Sequence, residues 1–162
     1  MQSNIRILGI DPGYERLGYA IVEKPLRGKE IVTASGCIRT KANTPFFGRL
    51  KEVGEEVERI ISQYKPTILA IEQLYFATNA KTVMSVSEAR GVILYAGARN
   101  GLSVFEYTPL QIKTTVTGDG RADKKQLMFM IPKLATIESK PKLDDEFDAI
   151  AVALTCFARE RF

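Results

Sequence analysis

Three short apolar segments open the chain and alternate in the manner of half-buried strands. They cover residues 5–11, 17–23 and 31–39, and the turn signals Asp11-Pro12-Gly13 and Arg27-Gly28-Lys29 lie between them. The connections are only a few residues long, so they predict an antiparallel meander of three strands.

The pattern changes to helical spacing from Phe47 to Tyr64, and Lys65-Pro66 ends that helix before an apolar strand at residues 67–71. A helix between two strands usually forms a right-handed parallel crossover. We therefore expect the first and fourth strands to be parallel neighbours.

Further elements follow in the second half of the chain. The pattern predicts a helix at 79–99, a strand at 103–107, a short helix from Pro109 to about 117, a helix at about 122–130 that stops near Pro132, a polar linker at 136–143, and a last apolar helix with Asp144 as its N-cap. Together the elements predict an α/β fold with a mixed five-stranded sheet flanked by helices. With 162 residues, 45% of them apolar, we expect one domain spanning 1–162.

The amino-acid composition excludes several kinds of catalytic site. The chain contains no histidine, which excludes Ser-His-Asp and Cys-His catalysis and the usual imidazole ligands of zinc. Cys37 and Cys156 stand alone, so we expect reduced thiols. No signal-like segment or apolar run of about 18 residues is evident, and a cytoplasmic protein without membrane contact is expected.

Four carboxylates stand where apolar segments end: Asp11, Glu72, Asp145 and Asp148. The carboxyl ends of the first and fourth strands should meet at one edge of the sheet, and residues three apart share one face of a helix. Clustered acids repel one another unless cations neutralise them, and oxygen ligands suit Mg²⁺, with Mn²⁺ as a substitute. Two ions about 3.5 to 4 Å apart would support in-line phosphoryl chemistry.

Each acid also has a simpler explanation. Asp11 could open the Asp-Pro-Gly turn, Glu72 could be an exposed strand end, and Asp145 with Asp148 could interact with the helix dipole. Residues 73–142 carry ten Lys or Arg against five Asp or Glu, which suits a nucleic-acid backbone but also an ordinary solvated surface.

An ordered set of motifs runs along nearly the whole chain: ILGIDPG, GCIRTK, AIEQLYFATNA, EARGV, VFEYTP, QIKTTVTGDGRADKKQ and DEFDAIAVA. With these motifs the chain resembles the bacterial RuvC-type Holliday-junction resolvases. The resemblance implies a ribonuclease-H-like fold, a homodimer, and Mg²⁺-dependent paired nicks in four-way junction DNA during recombination and repair. It also implies cooperation with a branch-migration helicase complex. The broad apolar surface of helix 79–99 is expected to carry the dimer interface.

The resemblance also assigns residues. It makes the four carboxylates the metal ligands and the catalytic set, and matches Tyr75 to an aromatic residue that stacks on bases at the junction centre. Lys113 and Lys124 match basic residues that face DNA, and their neighbours Arg121 and Lys125 are further candidates for DNA contact.

Three features depart from the family pattern. Glu146 and Phe147 stand between the paired aspartates where relatives commonly have small residues, so Glu146 is expected to add charge near the site. Some relatives have a histidine near the position of Asp145. Pro132 interrupts a helix that relatives tend to continue.

The same residues are also compatible with other functions. A strand ending in Asp-x-Gly also resembles the first phosphate loop of the actin and sugar-kinase superfamily, although 162 residues are too few for its two domains. A junction-binding module without catalysis and a ribonuclease-H-like enzyme acting on another nucleic acid are the further alternatives.

Overall fold

Six strands and five helices make up the parts of the chain that the computed structural model describes, residues 5–74 and 79–162. The strands are β1 (Arg6–Asp11), β2 (Arg16–Glu23), β3 (Glu30–Arg39), β4 (Ile68–Glu72), β5 (Ser103–Tyr107) and β6 (Ala135–Ile137). The helices are α1 (Phe46–Tyr64), α2 (Ala80–Arg99), α3 (Pro109–Thr117), α4 (Lys124–Leu134) and α5 (Asp144–Arg159). Within these two ranges, no helix is long and apolar enough to cross a membrane.

The strands form one mixed sheet in the order β5-β4-β1-β2-β3-β6. The β1–β2 and β2–β3 pairs are antiparallel, whereas β1–β4, β4–β5 and β3–β6 are parallel. The meander and the parallel pairing of the first and fourth strands are thus confirmed. The carboxyl ends of β1 and β4 lie side by side at one edge of the sheet.

The sheet has six strands rather than the predicted five, because β6 forms where the sequence indicated the start of a polar linker. Ala135, Thr136 and Ile137 pair with Glu30, Ile31 and Val32 of β3. Three residues are too few for an alternating pattern to be recognised, so only the pairing with β3 reveals this strand.

The predicted stop of α4 near Pro132 is also wrong, since the helix continues through this residue to Leu134. Pro132 removes one backbone donor close to the end of the helix, where few bonds remain to be made. Leu127 and Ile131 are buried on the inner face of α4, and the N–H of Ala135 still bonds to the carbonyl of Ile131. Tertiary packing therefore outweighs the local cost of proline.

The two faces of the sheet carry separate cores. Leu8 and Ile10 of β1 pack on the side of α1 and α2, whereas Ile7 packs on the side of α3, α4 and α5. Side chains alternate along a strand, so Asp11 shares the face of Ile7. The same parity puts Glu72 on the face of Ile68 and Ala70. Both strand-end carboxylates consequently point toward the layer that contains α5.

Helix α5 approaches the sheet at two glycines. A Cβ added to Gly9 would stand 2.3 Å from the carbonyl oxygen of Ala149, and one added to Gly18 would stand 2.0 Å from the carbonyl oxygen of Asp145. Gly18 pairs with Asp11 across β1 and β2. This approach brings the first turn of α5 directly over the end of β1.

We expect Gly18→Ala and Gly9→Ala each to lower the free energy of unfolding by about 1 to 3 kcal/mol, because the added methyl meets backbone atoms that cannot move independently. Urea denaturation measures this loss. Wild-type stability in both variants would contradict the close approach.

Candidate active site

Asp11 and Glu72 come from adjacent parallel strands. Ile10 pairs with Ile71, so the next residue on each strand, Asp11 and Glu72, reaches the same edge. The side chain of Arg90 on α2 fixes this end of β4, because its Nε donates to the carbonyl oxygen of Glu72 at 3.1 Å. Strand pairing, which is rigid, thus sets the spacing of these two carboxylates.

Asp145 and Asp148 come from the first turns of α5. The helix begins at Asp144 and is preceded by Leu143, so the prediction that Asp144 is the N-cap is wrong. The contact of the Asp145 backbone with Gly18, the partner of Asp11, places this turn above the strand ends. The fold therefore brings all four predicted carboxylates to one edge of the sheet.

Their pKa values show how close the charges are. Burial, followed by the charges of Asp148, Glu72 and Asp145, raises the pKa of Asp11 to about 8. Burial and the charge of Asp148 raise the pKa of Glu72 to about 7, against the opposing charges of Lys113 and Lys124. Burial also raises the pKa of Asp148, which Lys124 opposes. The carboxylates at this edge of the sheet would consequently be stabilised by a nearby cation.

Two side-chain cations already lie at this edge. The Nζ of Lys124 donates to Asp148 at 2.9 Å and lies 3.5 Å from Asp144, while Arg16 forms an ion pair with Asp145. The thiol of Cys37 also donates to Asp145 at 3.6 Å. Asp145 and Asp148 are thus each engaged by a neighbour.

Consequently, among residues 5–74 and 79–162, no three Asp, Glu or Cys side chains are grouped closely enough to bind a metal as they stand. The residues nevertheless fit a hard divalent cation, because the donors are carboxylate oxygens, two of them have strongly raised pKa values, and cationic side chains are attracted to the same edge. Lys124 and Arg16 each engage only Oδ2 of their aspartate, so such an ion would bind through the second carboxylate oxygen or displace these cations.

A small cavity of about 130 Å³ opens beside the carboxylates, between Glu72, Lys113 and Asp148. Lys113 projects from α3, so two lysines from different helices flank the acids. A larger cavity of about 440 Å³ lies elsewhere, against the α1 side of β3, and contains none of the four carboxylates. Cavity size alone therefore does not locate this site.

The other predicted DNA-contacting residues are placed less specifically. Arg121 precedes α4 and Lys125 follows Lys124 within it, and both are exposed. The backbone N–H of Arg121 donates to Asp119 at 2.8 Å, which fixes the backbone of the loop. Tyr75 lies outside the described residues, so its stacking role stays a prediction.

Glu146 does not add its charge to the cluster as the sequence suggested. Its carboxylate is buried and accepts a hydrogen bond from Ser35 on β3 at 2.6 Å, and it is not among the charges that raise the pKa of Asp11. Phe147 is half-buried and packs against the core formed with α3, α4 and α5.

Sequence reasoning missed three side chains that contact this edge. Arg16 and Cys37 engage Asp145, and Arg90 holds the backbone of Glu72. Only strand pairing brings Arg16 and Cys37 near α5. For Arg90, its place in the EARGV motif was a signal that the sequence offered.

A mixed sheet with carboxylates at the ends of its two central parallel strands and on the helix packed over them is the arrangement of a ribonuclease-H-like nuclease. A model of the family described as "Crossover junction endodeoxyribonuclease RuvC" matches residues 7–156. The chain belongs to this family, and it is a nuclease that resolves Holliday junctions.

Comparison with individual proteins supports this family assignment. The chain is 46% identical over 151 residues to the crossover junction endodeoxyribonuclease of Heliobacterium modesticaldum, covering 93% of this chain and 92% of that protein. The Thermus thermophilus RuvC structure superposes with a TM-score of 0.84 at 27% identity, covering 93% and 92% of the two chains. The same protein in complex with Holliday junction substrate gives a TM-score of 0.86 at 26% identity, covering 95% and 93%.

The raised pKa values predict how the metal-free protein responds to pH. Carboxylates have unfolded-state pKa values of about 4, so Asp11 and Glu72 hold protons in the folded state that the unfolded chain releases. Their contribution to stability is complete below about pH 4 and is lost as the pH rises through 7 and 8. In EDTA, Asp11→Asn should therefore gain stability relative to wild type as the pH rises.

Urea denaturation of both proteins between about pH 5 and pH 9 measures this difference. The exposed Glu55→Gln on α1 serves as the control for loss of one negative charge. A stability of Asp11→Asn that stays constant or falls relative to wild type as the pH rises would contradict the raised pKa of Asp11.

Proposed function

We propose that this nuclease resolves the junction by paired, symmetric nicks, with two Mg²⁺ ions held by Asp11, Glu72, Asp145 and Asp148. The observation that carries the proposal is the gathering of these four carboxylates at one edge, where burial and neighbouring charge raise the pKa values of Asp11 and Glu72, on a chain of a metal-dependent nuclease family. Mn²⁺ should substitute, since it accepts the same oxygen ligands.

The carboxylates differ in how firmly the fold holds them. Asp11 and Glu72 are anchored by paired strands, whereas Asp145 and Asp148 exchange side-chain cations for metal by rotating their own side chains. Bound divalent ions supply charge neutralisation for the attacking and leaving oxygens of a phosphodiester. The protein contributes the fixed spacing of the ligands and the exclusion of bulk water by the core beneath them.

Lys113 and Lys124 are the residues that best suit the DNA backbone at this site. Both lie against the carboxylates, on α3 and α4, and opposite charge holds Lys124 there until metal binds. Release from Asp148 would free the Lys124 ammonium for a phosphate of the cleaved strand. Lys125 and Arg121 would extend this contact, and Tyr75 would stack on a base at the junction centre.

A homodimer suits a substrate with two equivalent strands to cut. The exposed side of α2 offers an apolar surface, with Met84 64% and Tyr95 65% exposed. Gly91 lies between them, and a Cβ added there would have nothing within 4 Å. A glycine in an exposed helix interior lowers helix stability by about 1 kcal/mol relative to alanine. The close approach of a second copy would explain why a glycine stands here.

The wider setting follows from the family. We propose that the chain acts as one nuclease domain over residues 1–162, in the cytoplasm where its DNA substrate arises, and together with a branch-migration helicase complex. The Thermus thermophilus complex with a Holliday junction substrate supports the choice of substrate.

One assay tests the function. Purified protein is offered a four-way junction, linear duplex and an RNA·DNA hybrid, each with Mg²⁺ or Ca²⁺. Junction binding is expected with either ion, but paired nicks only with Mg²⁺, since the larger Ca²⁺ coordinates less regularly. Preferred cleavage of the hybrid would favour a ribonuclease, and binding without cutting in any metal would favour an inactive module.

In the same assay Asp11→Asn, Glu72→Gln and Asp148→Asn should each abolish nicking and leave junction binding in Ca²⁺ largely intact. Each change removes a negatively charged ligand from the site that stabilises the transition state. Glu55→Gln, on the opposite side of the sheet, is the matched control and should nick normally. Near-wild-type nicking by any of the three variants would remove that residue from the site.

Lys113→Ala and Lys124→Ala should weaken junction binding, because each removes a cation that neutralises a DNA phosphate. The dependence of log K on log salt should fall by about one unit for each phosphate that is no longer neutralised. Fluorescence anisotropy at several salt concentrations measures the slope. Lys51→Ala, exposed on α1, is the control. An unchanged slope in both variants would show that these lysines do not contact DNA phosphates and interact only with the carboxylates.

Gly91→Lys should shift the protein toward monomer, because it introduces charge and bulk at the exposed face of α2 without a clash inside the chain. Analytical ultracentrifugation at micromolar concentration measures the change. Ser62→Lys, exposed on α1, should leave association unchanged. Equal association of Gly91→Lys and wild type would remove this face from the interface.

A further inference from the structure

Glu146 is a buried acid placed between two proposed metal ligands. Its residue is only 6% exposed, although it stands in the first turn of α5 beside Asp145 and two positions before Asp148. A buried carboxylate is tolerated only when its oxygens are well satisfied. The contacts that satisfy it therefore indicate what it does.

Three donors converge on this carboxylate. One oxygen, Oε2, accepts the hydroxyl of Ser35 at 2.6 Å, and the other, Oε1, accepts the backbone N–H groups of Lys142 and Leu143 at 3.2 Å each. With both oxygens engaged in this way, Glu146 points toward β3 and the start of the helix.

These contacts fix where α5 begins. The residue before the helix, Leu143, has no side-chain acceptor, so it cannot cap the free N–H groups of the first turn. Glu146 instead folds back to the N–H of Leu143, which is the half of a capping box that an acid at the third helical position supplies. It also ties the turn to β3 through Ser35.

Resting on the proposed function, we propose that Glu146 and Ser35 form a positioning pair that sets the metal affinity of the site. The pair holds the first turn of α5 against β3, and Gly18 limits how closely that turn approaches β2. Together these contacts fix the depth and direction from which Asp145 and Asp148 reach the strand-end carboxylates.

The test compares Glu146→Ala, Glu146→Gln and Ser35→Ala with wild type. Mn²⁺ binding is followed by electron paramagnetic resonance, and the Mg²⁺ concentration for half-maximal nicking is measured separately. Loss of a residue that orients ligands typically weakens metal binding about 10- to 100-fold. We expect a loss of about tenfold or more for Glu146→Ala, near-wild-type affinity for Glu146→Gln, because its amide oxygen still accepts the backbone N–H groups, and an intermediate loss for Ser35→Ala.

Junction affinity in Ca²⁺ and nicking at saturating Mg²⁺ should change little in all three variants. Unchanged Mn²⁺ binding in Ser35→Ala and Glu146→Ala, with only a lower melting temperature, would overturn the positioning role. Glu146→Gln binding as poorly as Glu146→Ala, with Ser35→Ala unaffected, would identify Glu146 as a direct ligand instead and also overturn it.

The two proposals fail in different ways. If wild-type protein bound Mn²⁺ but did not nick a junction, the proposed function would fail, while the order of Mn²⁺ affinities among the variants would still decide the role of the pair. If Glu146→Ala does not fold, Glu146→Gln and Ser35→Ala alone decide it, because only a positioning pair predicts a loss for Ser35→Ala larger than that for Glu146→Gln.

Discussion

The contact of helix α5 with the bare backbone of the sheet determines most of what this fold can do. At Gly9 and Gly18 the strands have no side chain, and the carbonyl groups of Ala149 and Asp145 occupy the space that a Cβ would fill. Interiors pack to crystal-like density, so this contact allows little displacement of the helix. It brings acids from distant parts of the chain together.

The same contact brings four negatively charged groups close together, and nearby cationic side chains reduce their repulsion. Four acids share one partly buried edge, and burial, followed by the repulsion of the other three, raises the pKa of Asp11 to about 8. Lys124 and Arg16 partly neutralise two of these charges by forming ion pairs with Asp148 and Asp145. A site suited to divalent cations is thus a cost to folding, which neighbouring cations reduce.

The first turn of α5 holds two large side chains next to the aspartates. Phe147 and Glu146 have different surroundings, since Phe147 joins the core and Glu146 bonds to Ser35 and to the backbone before the helix. The charged group of Glu146 therefore anchors the start of the helix.

The sequence by itself determined the order of the main elements and the four carboxylates, because hydrophobic period and segment ends are local signals that survive without tertiary context. The short strand β6, the passage of α4 through Pro132 and the start of α5 at Asp144 were decided by packing and pairing. The partners of the carboxylates, Arg16 with Asp145 and Lys124 with Asp148, were decided in the same way. Each of these pairs joins residues far apart along the chain. The register of the sheet under α5 brings Arg16 to Asp145, and the packing of α4 against α5 brings Lys124 to Asp148.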